Sequence, residues 1–407
     1  MVKYWKDLAR MPRGMWVLAI TALVNRAGSM VMPFLTLYLT RQLGFSVSQA
    51  GFLFFLYGLG EIAAGPLAGR LADRLGPAAV MKASLFLSGA VLLAYPYAHS
   101  IAWVMAATLA LAVTSEAFRP ASMAVVGALV EPRDRKSAFA LYRLAINLGM
   151  SLGPAAGGLL AALSFRYLFL VDGATSLLAG LVLVASALRV GREDGLPKTL
   201  APWRAHADRR FLFFLAAIFP VLIIFFQHVS SMPLFLVREL GISTAAFGFL
   251  FSINTVLIVV LEIPLIGRTA HWTHRRTLIL GALLSGAGFG AMALASGIVS
   301  VAATVVVWTF GEMLFFPGSA ACSTELAPPD RQGEYGGLYL ATFSAAFAVG
   351  PWAGTAVLGR FGGRTLWGAT FLLGLVSAAM LSRLKEPERV LTASAVPGGA
   401  TPPIPEL

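Results

Sequence analysis

Long apolar runs separated by short polar or Pro/Gly-containing breaks set the pattern of the chain. The runs fall near 15–40, 46–69, 78–97, 101–129, 138–162, 166–188, 211–237, 244–267, 277–297, 300–325, 335–358 and 365–384. A helix needs about 20 mostly apolar residues to cross the hydrocarbon core, so the pattern predicts twelve transmembrane helices. In lipid a segment must satisfy its own backbone, which excludes an open sheet; barrel strands would show short alternating segments instead of continuous runs. The expected class is an all-α integral membrane protein. The first run is too long for a cleaved signal and no small-residue cleavage site closes it.

The chain also repeats. MPFLTLYLTRQLGFS (32–46) matches MPLFLVRELGIS (232–243), and PLAGR (66–70) matches PLIGR (264–268). EPRDRKSAFALY (131–142) matches PPDRQGEYGGLY (328–339), and LGPAAGG (152–158) matches VGPWAGT (349–355). Matches in one order at a nearly constant offset predict two pseudo-symmetric six-helix bundles, 1–188 and 211–384. A polar stretch at 189–210 reads as the linker between them, and 385–407, rich in Pro, Gly and Ala, as a disordered cytoplasmic tail. Two related bundles imply an axis along the membrane normal and a pathway between them.

Composition agrees. Of 407 residues 58% are hydrophobic and 12% charged, against about 25% charged in soluble domains. That excludes an ordinary soluble enzyme, a disordered chain and a nucleic-acid partner. The net charge of +12 is a topology signal. Twenty-three of 31 basic residues, Arg13, Lys82, Arg209 and Arg276 among them, fall on the side of the N-terminus. Five fall on the other side: Arg41, Arg166, Arg238, Arg360 and Arg364. This split predicts cytoplasmic termini and a plasma membrane location, the inner membrane of a bacterium. The lone Cys322 allows no internal disulfide or cysteine metal cluster. His271 and His274 stand beside Arg275 and Arg276 and are not expected to hold metal. No HExxH or P-loop string occurs, so no catalytic residue, metal or cofactor is expected.

Two motifs carry a family resemblance. After the second run stands Gly65-Pro66-Leu67-Ala68-Gly69-Arg70-Leu71-Ala72-Asp73-Arg74-Leu75-Gly76. Gly69 and Gly76 permit a tight turn, and Asp73 can accept hydrogen bonds from the start of the next helix. In the fifth run stands Gly149-Met150-Ser151-Leu152-Gly153-Pro154-Ala155-Ala156-Gly157-Gly158. Its small residues open a face for close packing, and Pro154 can bend the helix. The first string resembles the loop signature of the major facilitator superfamily; the second resembles the helix-five motif of its twelve-helix drug:proton antiporters. The resemblance implies the major facilitator fold, with alternating access around a central cavity lined by helices one, four, seven and ten. It makes Gly69, Arg70, Asp73, Arg74 and Gly76 a conformational latch. It makes Gly149, Gly153, Pro154, Gly157 and Gly158 a pointer to export.

Ionisable groups at membrane depth cost about 2.5–3.5 kcal/mol on insertion scales, so each needs a partner or a function. Glu61, Glu116 and Glu312 are the proton-coupling candidates. Arg26, Asn25, Arg119, Gln227 and His228 are candidate cavity partners, with Arg26 able to neutralise Glu61 or Glu116, and Glu116 able to pair with Arg119. Phe118, Phe225, Phe226, Phe315 and Phe316 flank these clusters and would suit lipophilic substrates. Asp172 reads as a residue of the outer interface, and Arg143 as a neighbour of the Asp73 loop. The expectation is a monomeric, proton-coupled exporter of lipophilic or amphipathic small molecules, whose partners are substrate, protons and the bilayer. The alternative is a symporter or facilitator of a polar nutrient.

Overall fold

The computed structural model describes residues 10–131, 134–186, 188, 205–269, 271–328 and 331–384. Most of the expected linker, 189–204, and the expected tail, 385–407, lie outside the described residues. The described residues are helical and contain no strand. Among them eleven segments are long and apolar enough to cross a bilayer. In chain order they are α1 (Arg13–Gln42), α2 (Val47–Leu75), α3 (Pro77–Tyr97), α4 (Ile101–Leu129), α5 (Ser137–Leu163), α6 (Phe165–Ala185), α7 (Arg209–Val229), α8 (Thr244–Thr269), α9 (His274–Leu294), α10 (Ile298–Leu326) and α11 (Gln332–Ser382). The expected runs 335–358 and 365–384 both fall within the 51-residue α11. Only Gly362 leaves helical geometry there, at φ 80° and ψ 171°, a region that costs glycine no steric penalty. No polar loop separates the two arms on either side of it.

α1 and α7 break in the same way. Pro33 lacks the N–H that would bond the Ser29 carbonyl, and α1 is interrupted between Gly28 and Val31. Pro233 plays the same part beyond α7, which passes through the 3-10 turn Phe226–Val229 and a kink at Ser230. Each chain then makes a π turn, Tyr38–Gln42 and Phe235–Glu239. Each reverses soon after at a left-handed glycine, Gly44 at φ 70° and Gly241 at φ 68°.

The halves meet through α2 against α11 and α5 against α8. Small residues bring the backbones together: a Cβ built on Gly158 would stand 2.7 Å from the Thr244 carbonyl oxygen and 3.0 Å from Gly248 Cα. At the end away from the basic loops the contact is closed. Thr36 Oγ1 donates to the Ser230 carbonyl at 3.1 Å, and Phe34 sets its ring edge-on to Phe247. Arg41 donates to the Val237 carbonyl at 3.2 Å, and Arg238 donates to the Thr40 carbonyl at 3.1 Å. At the basic end the close packing between the halves is lost, although the Arg143–Glu262 ion pair still reaches across at 2.8 Å. Gly65 and Gly69 on α2, and Gly333, Gly336 and Gly337 on α11, have no atom within 4 Å of where a Cβ would stand. The structure is open toward the basic end and closed at the other, hereafter the outer end.

The two arginine contacts are charge-assisted but partly exposed, so each is worth roughly 1 kcal/mol. Replacing Arg41 and Arg238 together with alanine is expected to widen the outer end, raising the open-to-closed ratio there by about thirtyfold. Spin-label distances across that end check this; an unchanged distribution would show that the contacts hold nothing closed.

Candidate functional site

A cavity of about 340 Å³ lies between the halves, within the range of small-molecule sites. Its two walls differ. From the first half come Asn25, Arg26 and Ser29 of α1, Tyr57 and Glu61 of α2, Ser84 and Ser88 of α3, Ser115, Glu116 and Phe118 of α4, Asn147 and Pro154 of α5, and Asp172 and Ser176 of α6. From the second half come Phe225 and His228 of α7, Phe251 and Asn254 of α8, Trp308 and Glu312 of α10, and Phe347 of α11. The first wall is polar and charged; the second is aromatic around one carboxylate.

On the first wall Glu61 lies within electrostatic range of Glu116, Arg119 and Arg26. Among the described residues no ion pair joins Arg26 or Arg119 to either carboxylate. The expected Glu116–Arg119 pair is not made: α4 turns more tightly at Ala117, between the two, and the side chains take different faces. Glu116 therefore faces the cavity, while Arg119 is exposed and does not line it. Tyr57 shares a 3.0 Å hydrogen bond with Ser115, and Asn25 donates to Ser176 at 3.2 Å.

On the second wall Asn254 donates to Glu312 Oε2 at 2.8 Å and to Thr309 at 3.0 Å. The His228 ring stands 4.5 Å from Phe225, 5.5 Å from Phe251 and 6.5 Å from Trp308, centroid to centroid. Its Nδ1 contacts the Phe225 carbonyl at 2.5 Å. The buried Trp308 Nε1 has no hydrogen-bond partner among the described residues.

Several expected residues lie elsewhere. Gln227 is 1% exposed and spent on the fold: it donates to the Ile223 and Gly350 carbonyls and accepts from Ser231. Of the five expected phenylalanines, Phe118 and Phe225 line the cavity. Phe226 instead packs edge-on to Phe347, Phe315 is fully buried, and Phe316 lies against Phe225 and Phe343. The backbone turn that follows Phe225 carries Phe226 to another face. Asp73, expected to accept from the start of α3, makes no hydrogen bond among the described residues. α3 begins at Pro77, which has no N–H, and Asp73 lies on an exposed face of α2. Gly76, at φ 86°, closes α2. Arg70 and Gly69 lie at the open basic end.

The helix-five glycines form a packing face. A Cβ on Gly149 would stand 2.8 Å from the Leu23 carbonyl oxygen, one on Gly153 3.1 Å from that of Ser29, and one on Gly157 2.8 Å from Met30 Cβ. The motif thus holds α5 against the break in α1, with Pro154 in the cavity wall. Arg143, expected beside the Asp73 loop, instead reaches across the halves to Glu262 on α8 at 2.8 Å. Asp172, expected at the outer interface, is buried and lines the cavity. Tyr57, Phe251, Asn254 and Phe347 were not singled out in the sequence. On α8 the spacing Phe251, Asn254, Thr255, Ile258 marks one helix face carrying a lone amide, a signal that was there to find.

A family model described as Major Facilitator Superfamily matches residues 17–351 and 229–405. The chain belongs to the major facilitator superfamily. It is thus a multi-pass membrane transporter and not an enzyme. It is 26% identical over 391 residues to the uncharacterised MFS-type transporter YqjV of Bacillus subtilis, covering 92% of this chain and 93% of that one. It is 25% identical over 373 residues to the multidrug resistance protein MdtH of Aeromonas hydrophila, covering 87% and 94%. Its fold is similar to a crystal structure of the nucleoside transporter NupG, with TM-score 0.77, 14% identity and coverage of 92% and 99%.

Proposed function

We propose that this superfamily transporter is a proton-coupled exporter of lipophilic or amphipathic small molecules. The observation that carries this reading is the cavity between the halves, with an aromatic wall set around the carboxylate of Glu312. An apolar wall with few polar anchors accepts molecules of varied shape. A carboxylate at membrane depth that faces no cation can exchange a proton as the cavity changes sides. Similarity to a multidrug resistance protein supports the same reading. With the two arms of α11 counted separately the chain crosses twelve times, in two six-helix bundles of 1–188 and 211–384. The basic end then faces the cytoplasm of a bacterium, and the monomer is the working unit.

A second reading, import of a polar metabolite, is favoured by the first wall with its Asn25, Asn147 and serines. One experiment separates them. Protein in liposomes is expected to accumulate a lipophilic dye against its gradient when the lumen is made more acidic than the outside, and to move polar nucleosides or peptides under neither direction of proton gradient. Dye movement unaffected by the gradient would remove proton coupling. Uptake of the polar solutes with the dye ignored would establish the second reading.

A further inference from the structure

We propose that Asp172 is the proton-sensitive anchor that ties the outer arm of α1 to the cavity. The inference rests on the alternating-access part of the function proposed above, but not on substrate or direction.

The break in α1 takes the Met30 and Val31 N–H groups out of the helical ladder, and buried N–H groups need an acceptor; Met30 N–H reaches the Gly28 carbonyl two residues back at 2.6 Å and shares Asp172 with Val31. Asp172 Oδ2 accepts from both, at 3.3 Å each. Its carboxylate is 7% exposed on average over the residue and borders the cavity. The arm that starts at Val31 carries Thr36, Thr40 and Arg41, three of the groups that close the outer end on the second half. One rigid segment therefore joins a cavity carboxylate to the outer closure. At the corresponding place in the second half stands Thr370, whose hydroxyl bonds its own helix at Trp367. The break before Ser231 is fixed by neutral groups, with Ser230 N–H on the Gln227 carbonyl. Among the described residues the ionisable anchor stands on one side alone.

Charge-assisted N–H bonds to a carboxylate are about twice as strong as those to a neutral acceptor. A proton arriving from cavity water therefore weakens the hold on Met30 and Val31. By linkage, acid favours the state in which the arm is released and the outer end open. Arg26 on α1 is the charged group in electrostatic range. α3 presents Ser88, and Tyr95 is occupied by Thr108; α5 presents glycines and Pro154. Glu61, Glu116, His228 and Glu312 border the same cavity on other elements.

The test uses the full chain carrying Cys322→Ser, with spin labels at Gln42→Cys and Ser243→Cys, in liposomes without substrate. Wild type is expected to gain about threefold or more in outer-open fraction between about pH 8 and about pH 5. Asp172→Asn, which cannot ionise, is expected to be raised already at the higher pH and flat across the range. Asp172→Glu is expected to keep the response with a displaced midpoint. A flat wild type, or an Asp172→Asn response equal to wild type, overturns the proposal. Should Asp172→Asn fail to fold, Asp172→Glu decides: an unmoved midpoint overturns it and a moved one sustains it. A failed dye assay with this pattern intact would fall on the substrate reading alone.

Discussion

Glu312→Gln is expected to abolish uphill dye accumulation, cutting it by roughly tenfold or more, while dye exchange at zero gradient stays near the wild-type rate. Of the three candidate glutamates, Glu61 and Glu116 share their neighbourhood with Arg26. Among the described residues Glu312 meets no cation: Asn254 holds it, and the charge in electrostatic range is Glu262, which Arg143 pairs. A glutamine keeps the shape and still accepts from Asn254, so α8 and α10 remain joined. What it loses is the ability to carry a proton, and with that the driving force. Exchange needs only binding and the change of access. Counterflow and gradient-driven uptake, measured side by side in liposomes, decide it. If accumulation survives Glu312→Gln, the proton is carried elsewhere in the cavity.

Gly158→Leu is expected to reduce transport by about tenfold with the protein still folded and inserted. The neighbours of a Cβ at Gly158 are backbone atoms of α8, the Thr244 carbonyl oxygen at 2.7 Å, Gly248 Cα at 3.0 Å and Ala245 Cα at 3.2 Å. Backbone cannot rotate aside as a flexible side chain can, and forcing extra atoms into a close contact costs about 1–3 kcal/mol. The cost falls on the closed outer end, where α5 and α8 touch, and not on the state in which they part. The equilibrium therefore moves away from the conformation described here, and turnover stalls. Gly368→Ala is the control, because no atom lies within 4 Å of its Cβ position. Initial rates at matched protein density compare the two. Equal rates would mean that α5 and α8 do not need this close approach.

Legibility in the sequence followed from how local each signal was. Crossing segments are written in continuous apolar residues, so ten of the expected runs have a matching helix of their own, and the last two share α11 because Gly362 alone breaks it. The repeat was legible because Pro33 and Pro233 stand at equivalent places and break two helices alike. Which side of a helix faces the cavity was less legible. Gln227 and His228 are adjacent, yet one is consumed by backbone carbonyls and the other borders the cavity. That difference depends on the 3-10 turn at Phe226–Val229, which shifts the helical phase. Asp172 was illegible because its distance from the end of its own helix points to the interface, whereas its hydrogen bonds come from the break in a different helix.

The paired arginines at the outer end have one more consequence. Arg41 binds the carbonyl of the residue before Arg238, and Arg238 binds that of the residue before Arg41. A contact in which each side does to the other what is done to it is the mark of an isologous interface between identical copies. Two separate six-helix chains would form this closure as a single contact made twice, so a mutation would alter both sides at once. Within one chain each side can differ alone: one half carries a carboxylate at Asp172 while its counterpart holds Thr370.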